Sequence, residues 1–211
     1  KAGSEAGYLE TEDPNGFMQE GFGPMDMSVG NGIRSSTSKS YLRPVINRKN
    51  LSVQTKAHVE KLIIMDKKAV GLSYFFNNQK KTVTVNKEII LSAGAIGSPQ
   101  LLMCSGIGPG DHLKEMGIPV IHNLSGVGNN LMDHLEIYIQ QACTKPISLY
   151  SHNNFIRKIP IGIQWILFKN GIGSSNHFEA GAFIRSRKGI QWPNIQYHFL
   201  PIAVSYDSAN A

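Results

Sequence analysis

The chain has 211 residues and a mass of 23.2 kDa, the size of one ordinary domain or of part of a larger protein. Hydrophobic residues make up 41% of the sequence and charged residues 17%, which excludes a disordered chain with few apolar residues and high net charge. No repeat with a period of roughly 20–50 residues is visible, which excludes solenoids and propellers. Two cysteines, Cys104 and Cys143, are too few for a disulfide scaffold; both lie among apolar residues and are predicted to be buried.

The formal net charge is +6 and the sequence pI is near 9.3, which raises the question of an anionic partner. Lys and Arg occur in short pairs at predicted turns, and no nucleic-acid-binding motif surrounds them. We therefore predict no nucleic-acid partner, and weak peripheral contact with an anionic membrane stays open as an alternative. The longest apolar stretch, Ile159–Phe168, is interrupted by Pro160 and is shorter than the ~20 residues that a bilayer requires.

The first half of the chain predicts loops followed by a meander. Residues 1–38 are rich in Gly, Ser, Asn and Asp, which favours loops around a short helix or two. Period-two apolar runs separated by polar turns then indicate successive antiparallel strands. The predicted strands are Leu51–Thr55, Val59–Met65, Ala69–Phe76 and Thr82–Val85.

The continuous apolar run Glu88–Gly94 predicts a strand buried on both faces, as in a parallel sheet. Ser98 and Pro99 have the residue types preferred at the N-cap and the first position of a helix, so a helix is predicted from there through Met103. A second short helix is expected over Asp111–Met116. A short strand, Ile118–Ile121, is expected to follow it.

The remaining chain has a different pattern. Glu136–Ala142 alternates weakly, Asn153–Phe168 has the apolar spacing of a helix, and Ala180–Ile184 and Ile195–Phe199 are predicted strands. We place a boundary between two packing units near residues 125–135. The elements together predict a mixed α/β (α+β) fold.

The turn after the predicted buried strand is a candidate anion site. Gly94 and Gly97 allow close backbone approach, and the N-terminus of the following helix offers free N–H groups, although most such turns bind nothing. The string from Gly94 to Gly108, GAIGSPQLLMCSGIG, resembles the second signature of the glucose–methanol–choline (GMC) flavoprotein oxidoreductases. Two other segments agree in order and spacing, Asn31–Thr37 with the family's G-x-R-x-S segment and Gly126–His134 with its GVG-x-NL-x-DH run.

The resemblance implies FAD as the cofactor. It assigns the backbone of Val59 to the adenine and places Ala93, Gly94 and Gly97 against the cofactor. It also implies that residues 1–130 are the central part of an FAD-binding domain that contains the meander, and that residues 131–211 begin an incomplete substrate-binding domain. No metal site is predicted, because no two histidines lie three or four residues apart.

Later segments are most similar to the choline-oxidising members of the family, in which a carboxylate and aromatic faces select a quaternary ammonium. The resemblance assigns Glu136 to the ammonium, Phe178 to an aromatic wall and His198 to the substrate oxygen. Each has an ordinary alternative: an exposed strand carboxylate, a core aromatic residue and a core histidine. Glu179 is a rival carboxylate, interpreted as a structural partner, and Asp133-His134 is either a catalytic pair or structure near the cofactor.

The resemblance implies an FAD-dependent enzyme that oxidises choline to betaine aldehyde by hydride transfer to the flavin. Another GMC alcohol dehydrogenase or oxidase, or a non-catalytic basic module, are the alternatives. Family members carry an N-terminal GxGxxG turn and a C-terminal catalytic His that this sequence does not contain, so we expect the central part of such an enzyme, inactive alone and without stable FAD binding. The resemblance leaves the electron acceptor open, and the compartment is cytoplasmic or membrane-associated in bacterial relatives and mitochondrial in animal ones.

Overall fold

The computed structural model describes residues 1–203. The described residues divide into two compact units: unit 1 contains Lys1–Arg48 and residues 138–203, and unit 2 contains Lys49–Ile137. The division into domains at 1–130 and 131–211 stays a prediction, and residues 204–211 of the second range lie outside the described residues.

Helices and strands alternate irregularly along the chain. The α-helices are α1 (Ala2–Glu5), α2 (Gly94–Cys104), α3 (Gly110–Glu115) and α4 (Phe155–Phe168). The strands are β1 (Gly21–Pro24), β2 (Val29–Gly30), β3 (Ile33–Arg34), β4 (His58–Met65), β5 (Lys68–Phe76), β6 (Gln79–Thr84), β7 (Ile107–Gly108), β8 (His122–Asn123), β9 (Ala180–Ile184) and β10 (Ile195–His198). Short helical turns of other types cover Ser38–Leu42, Arg43–Val45, Leu149–His152 and Ile172–Ser174.

Unit 2 is built on the antiparallel sheet β4-β5-β6, which confirms the predicted meander. Each hairpin closes through two residues of positive φ, Asp66-Lys67 and Asn77-Asn78. Two-residue loops of this kind match the twist of the flanking strands, and Asn and Asp tolerate the left-handed region better than most residues. The polar turns therefore fix the register of the meander.

Helix α2 packs against β4 in unit 2. The hydroxyl of Ser105, which is 4% exposed, accepts a 2.8 Å hydrogen bond from the backbone N–H of Leu62. Both cysteines are exposed, so the prediction that they are buried is wrong. Cys104 ends α2, and it is the next residue, Ser105, that makes the buried contact with β4.

The helix start predicted at Ser98 is also wrong. Helix α2 begins at Gly94 and contains Pro99 in its interior. The Ser98 hydroxyl accepts a 3.0 Å hydrogen bond from the N–H of Ala93, so it bonds back to the residue before the helix and does not cap the following turn. The residue types suited a cap, but the preceding residues Gly94–Gly97 had already formed a helical turn.

Four strand predictions fail for a common reason. No β-ladder among residues 1–203 includes Leu51–Thr55, Glu88–Gly94, Ile118–Ile121 or Glu136–Ala142. Ile90, in the middle of the run expected to be buried, is 80% exposed. An apolar run becomes a strand only when another strand pairs with it, and within the described residues these runs have no such partner.

Unit 1 contains the antiparallel sheet β1-β9-β10. The two C-terminal strands were predicted, whereas β1 lies in a segment predicted to be loop; it pairs with β9 so that Gly21 faces Phe183. Ala182 in the central strand is 1% exposed and lies between Phe22 and Tyr197, whose rings stack with centroids 6.1 Å apart. This row of side chains packs across one face of the sheet.

Helix α4 confirms the helix predicted over Asn153–Phe168. The Asn154 side chain caps its N-terminus by accepting a 2.9 Å hydrogen bond from the N–H of Ile156, and Lys169 ends it in the left-handed conformation. The indole N–H of Trp165 donates a 2.6 Å hydrogen bond to the carbonyl of Gly32, which ties the helix to the N-terminal segment.

None of the helices within residues 1–203 has the length and apolarity to cross a bilayer.

Candidate functional site

The residues assigned to the cofactor all lie in unit 2. Val59 is half-buried in β4, opposite Tyr74 of β5, and α2 packs against the same strand. The structure therefore combines the strand that carries Val59 and the helix that begins with Gly94 in one packed unit. We refer to residues Ala93–Gly97, at the start of α2, as the cofactor turn.

The cofactor turn presents backbone to its surroundings. Gly94 has a φ of +84°, and a Cβ built on it would meet no heavy atom of the described residues within 4 Å. Gly97 differs, because its Cβ would lie 3.2 Å from the Cβ of Ala93. The first N–H groups of a helix have no intrahelical acceptor and favour a negative group. An open glycine surface beside free N–H groups fits the close approach of an anionic cofactor.

Two residues assigned to the substrate meet in unit 1. The ring centroids of Phe178 and His198 lie 5.8 Å apart, with the ring planes at 85°. This edge-to-face arrangement is favoured for rings whose edges are positive and whose faces are negative. Phe178 precedes β9 and His198 ends β10, so the pair is formed by sheet pairing between separate segments.

The sheet holds His198 beside a glycine. Gly181 in β9 faces His198, and a Cβ built on Gly181 would lie 2.5 Å from the carbonyl oxygen of Tyr197 and 2.8 Å from the Sδ of Met25. Only glycine fits between this carbonyl and the thioether. The position of His198 therefore depends on a close backbone contact in the strand next to it.

The loop Ser175–Glu179, which we call the anchor loop, carries Phe178. The Ser175 hydroxyl donates a hydrogen bond to Oε1 of Glu179 and accepts a 2.9 Å hydrogen bond from the N–H of His177. The Oδ1 of Asn176 accepts a 3.2 Å hydrogen bond from the N–H of Phe178. The interpretation of Glu179 as a structural partner agrees with this contact. Sequence reasoning missed Ser175 and Asn176, although Ser-Asn before a strand is a recognisable signal for side-chain-closed turns.

Glu136 lies in unit 2, in an extended stretch that has neither helix nor strand, and its side chain is exposed. The nearby Asp133-His134 is not joined through the imidazole: Asp133 Oδ1 accepts a 2.8 Å hydrogen bond from the backbone N–H of His134. The role of this pair stays a prediction. Within residues 1–203, no group of three or more His, Cys, Asp or Glu side chains could hold a metal ion.

A cavity of about 550 Å³ lies in unit 1 next to the anchor loop. Ser175 and Asn176 form part of its wall, together with Trp165 of α4. Two opposite charges, Asp26 and Arg34, also line it. The anchor loop thus makes two contacts: its polar residues Ser175 and Asn176 face the cavity, and its Phe178 ring packs against His198.

Comparison with known proteins places these features in a family. Residues 1–136 of the 211 match the family described as GMC oxidoreductase. The chain therefore belongs to the GMC oxidoreductases, a class of proteins with the mixed helix-and-sheet architecture described above. This membership confirms the family and the fold class that the sequence motifs indicated.

Among characterised sequences, the chain is similar to the oxygen-dependent choline dehydrogenases of Photobacterium profundum and Pectobacterium carotovorum. It is 53% identical to the first over 210 residues, which are 100% of this chain and 37% of that protein. It is 51% identical to the second over 212 residues, which are 100% of this chain and 38% of that protein. The chain thus spans a little over a third of the length of these relatives.

Solved structures of the same fold include an FAD-dependent oxidoreductase from Chaetomium thermophilum, with a TM-score of 0.72, 26% identity, and coverage of 87% of this chain and 33% of that one. The formate oxidase of Aspergillus oryzae has a TM-score of 0.74 at 24% identity, with 87% and 32% covered. The second likeness concerns the fold alone.

Proposed function

We propose that the chain forms the central part of an FAD-dependent enzyme that oxidises choline to betaine aldehyde. The observation that carries the proposal is the contact between Phe178 and His198. The family resemblance assigned both residues to the substrate from two separate segments, and the fold brings their rings together. The similarity to choline dehydrogenases along the whole chain supports the same substrate.

The cofactor turn and β4 are the elements that would hold FAD. The backbone of Val59 would meet the adenine, and the N–H groups that follow Ala93 and Gly94 would face an anionic part of the cofactor. When bound, FAD supplies the redox chemistry by accepting the hydride of the alcohol carbon. The protein contributes the open surface at Gly94, where a side chain would occupy the space the cofactor needs.

Selection of a quaternary ammonium falls to a carboxylate, because the ammonium carries no N–H that could donate a hydrogen bond. Opposite charges 4 Å apart gain about 4 kcal/mol at an effective dielectric near 20, against about 0.5–2 kcal/mol for one cation–π contact. We assign the carboxylate to Glu136. The Phe178 ring then adds the smaller aromatic contribution.

We assign His198 to the substrate oxygen. An imidazole N–H would donate a hydrogen bond to this oxygen and stabilise the negative charge that develops on it when a base takes the hydroxyl proton. The family resemblance assigns that base to a C-terminal His that this sequence does not contain. A donor of this kind is worth about 3 kcal/mol when it is held in place before the reaction. The edge-to-face contact with Phe178 favours this orientation of the imidazole.

Peripheral membrane contact remains part of the proposal. Residues 137–178 contain four Lys or Arg and no Asp or Glu, and α4 within this segment exposes Phe155 and Phe168 by 80% and 68%. A basic segment with exposed aromatic residues suits an anionic lipid surface. Co-sedimentation with vesicles that contain phosphatidylglycerol, compared with neutral vesicles, tests this contact.

A Glu136→Gln substitution tests the substrate assignment in the whole protein that carries this sequence. The KM for choline should rise at least 50-fold, because the ion pair is lost, whereas the KM for the uncharged isostere 3,3-dimethylbutan-1-ol should change less than threefold. Glu115→Gln, at an exposed glutamate of α3, is the matched control. Equal effects on both alcohols would favour a family member that oxidises another primary alcohol.

A further inference from the structure

Glu179 is held at both its side chain and its backbone. Its carboxylate accepts the hydroxyl hydrogen bond of Ser175, and its carbonyl oxygen accepts a 3.0 Å hydrogen bond from the N–H of Met25. Met25 directly follows β1, so the second bond ties the anchor loop to the edge of the sheet. Glu179 is thus the point at which the loop joins β9.

The residues between Ser175 and Glu179 have little freedom. His177 adopts a left-handed backbone conformation with φ of +64°, and its N–H donates to the Ser175 hydroxyl. The N–H of Phe178 donates to Asn176. The bond between Ser175 and Glu179 closes the loop around Phe178, and the Phe178 ring lies against His198.

We propose that Glu179 is a positioning residue that acts through Ser175 to hold the Phe178 ring against His198. In relation to the substrate, this inference rests on the proposed function, because it makes the orientation of the oxygen-binding imidazole depend on the anchor loop. The structural part, that Glu179 controls the contact between the two rings, is independent of any substrate.

A glutamine at position 179 distinguishes this role from that of an ammonium ligand. One carboxylate oxygen is already engaged by the Ser175 hydroxyl, and the same oxygen lies 3.9 Å from Nδ1 of His177. Accepting a hydroxyl hydrogen bond requires an oxygen but no charge. A glutamine keeps such an oxygen, whereas it could not form an ion pair with a quaternary ammonium.

The ring contact can be measured without turnover. An aromatic ring shifts the resonances of protons close to it, so the ring protons of His198 report on Phe178. The measurement is an NMR spectrum of histidine-labelled protein, in which the His198 signals are identified by their loss in His198→Gln. We expect Glu179→Ala and Phe178→Ala to move the His198 signals in the same direction. Glu179→Gln and the control Glu115→Ala should leave them in place. Unmoved His198 signals in Glu179→Ala would overturn the proposal, whatever the substrate is.

Ser175 provides a second test if Glu179→Ala fails to fold. Ser175→Ala removes the same hydrogen bond from the other side and should reproduce the shift of the His198 signals, whereas Ser175→Thr keeps a hydroxyl and should restore them. Wild-type signals in Ser175→Ala would contradict the proposed route through this hydroxyl.

Kinetics separate positioning from ammonium binding. A misplaced His198 should lower kcat about tenfold for choline and for 3,3-dimethylbutan-1-ol alike, so Glu179→Ala should leave the ratio of their kcat/KM values unchanged. Glu179→Gln should stay within threefold of the wild type. If kcat/KM for choline falls relative to kcat/KM for 3,3-dimethylbutan-1-ol in both variants, the positioning role is overturned and Glu179 is an ammonium ligand. If choline is not oxidised at all, the proposed function fails, and the proton signals still decide the role of Glu179.

Discussion

The cofactor turn of unit 2 and the anchor loop of unit 1 use different parts of the chain. The cofactor turn offers backbone N–H groups and an open glycine surface at Gly94. The anchor loop depends on side chains. A hydrogen bond between Ser175 and Glu179 closes the loop, and the Phe178 ring that the loop carries contacts His198. Added atoms should therefore damage the cofactor turn through steric overlap and backbone strain, whereas removed atoms should damage the anchor loop through lost contacts.

The largest effect on stability is expected at Gly181, beside the ring pair. In Gly181→Ala, the new methyl group would lie 2.5 Å from the Tyr197 carbonyl, which cannot move without disturbing the pairing of β9 with β10. Chemical denaturation should show a loss of about 2–3 kcal/mol in the free energy of unfolding, as for other overpacked sites. Gly126→Ala is the control, because a Cβ there meets no heavy atom of residues 1–203 within 4 Å, and it should change little.

A smaller effect on stability is expected at Gly94, in the cofactor turn. Gly94→Ala meets no steric clash, but the left-handed φ of +84° should cost about 1 kcal/mol in the free energy of unfolding. Gly94→Asn should cost less, because asparagine tolerates this conformation. The flavin content of the whole protein should fall more in Gly94→Asn than in Gly94→Ala, since the longer side chain fills more of the open space. Wild-type flavin content in both variants would contradict the cofactor role of the turn.

The smallest effect is expected at Glu60 in the meander. Hydrogen bonds from Lys80 Nζ and Ser73 Oγ, at 2.9 and 2.7 Å, lower the pKa of Glu60 below its ordinary value of 4.5. The lowered pKa adds stability above pH 4.5, and this contribution is lost as the pH falls through the folded-state pKa. Glu60→Gln should therefore lower the Tm at pH 7 and flatten its decline below pH 4.5. Glu88→Gln, at an exposed glutamate of the same unit, should do neither.

The sequence predicts those elements whose causes are local. The meander follows from period-two runs and from turns such as Asn77-Asn78, and α4 follows from its apolar spacing and the cap at Asn154. The pairing of β1 with β9 joins residues 21 and 183, and nothing in the short segment around Gly21 shows that a partner exists so far along the chain. The same limit explains the failed strand at Glu88–Gly94, because an apolar run does not show whether another strand pairs with it.

The candidate site divides in a similar way. The resemblance indicated Phe178 and His198 one at a time, but their contact needs the register of β9 with β10, which motifs do not encode. The sequence shows Glu179 only as a second carboxylate, and its bond to Ser175 is a property of the folded loop. Roles that depend on neighbours across a sheet or a loop are therefore visible only in the folded structure.

The most direct test of choline oxidation is to mix the whole flavin-loaded protein anaerobically with choline and to follow the flavin absorbance. Rapid bleaching with choline, and much slower bleaching with 3,3-dimethylbutan-1-ol at the same concentration, is the result predicted for a site that pairs a carboxylate with the ammonium. A protein that purifies without flavin, or a flavin that choline leaves oxidised while an uncharged alcohol reduces it, would contradict the proposed function.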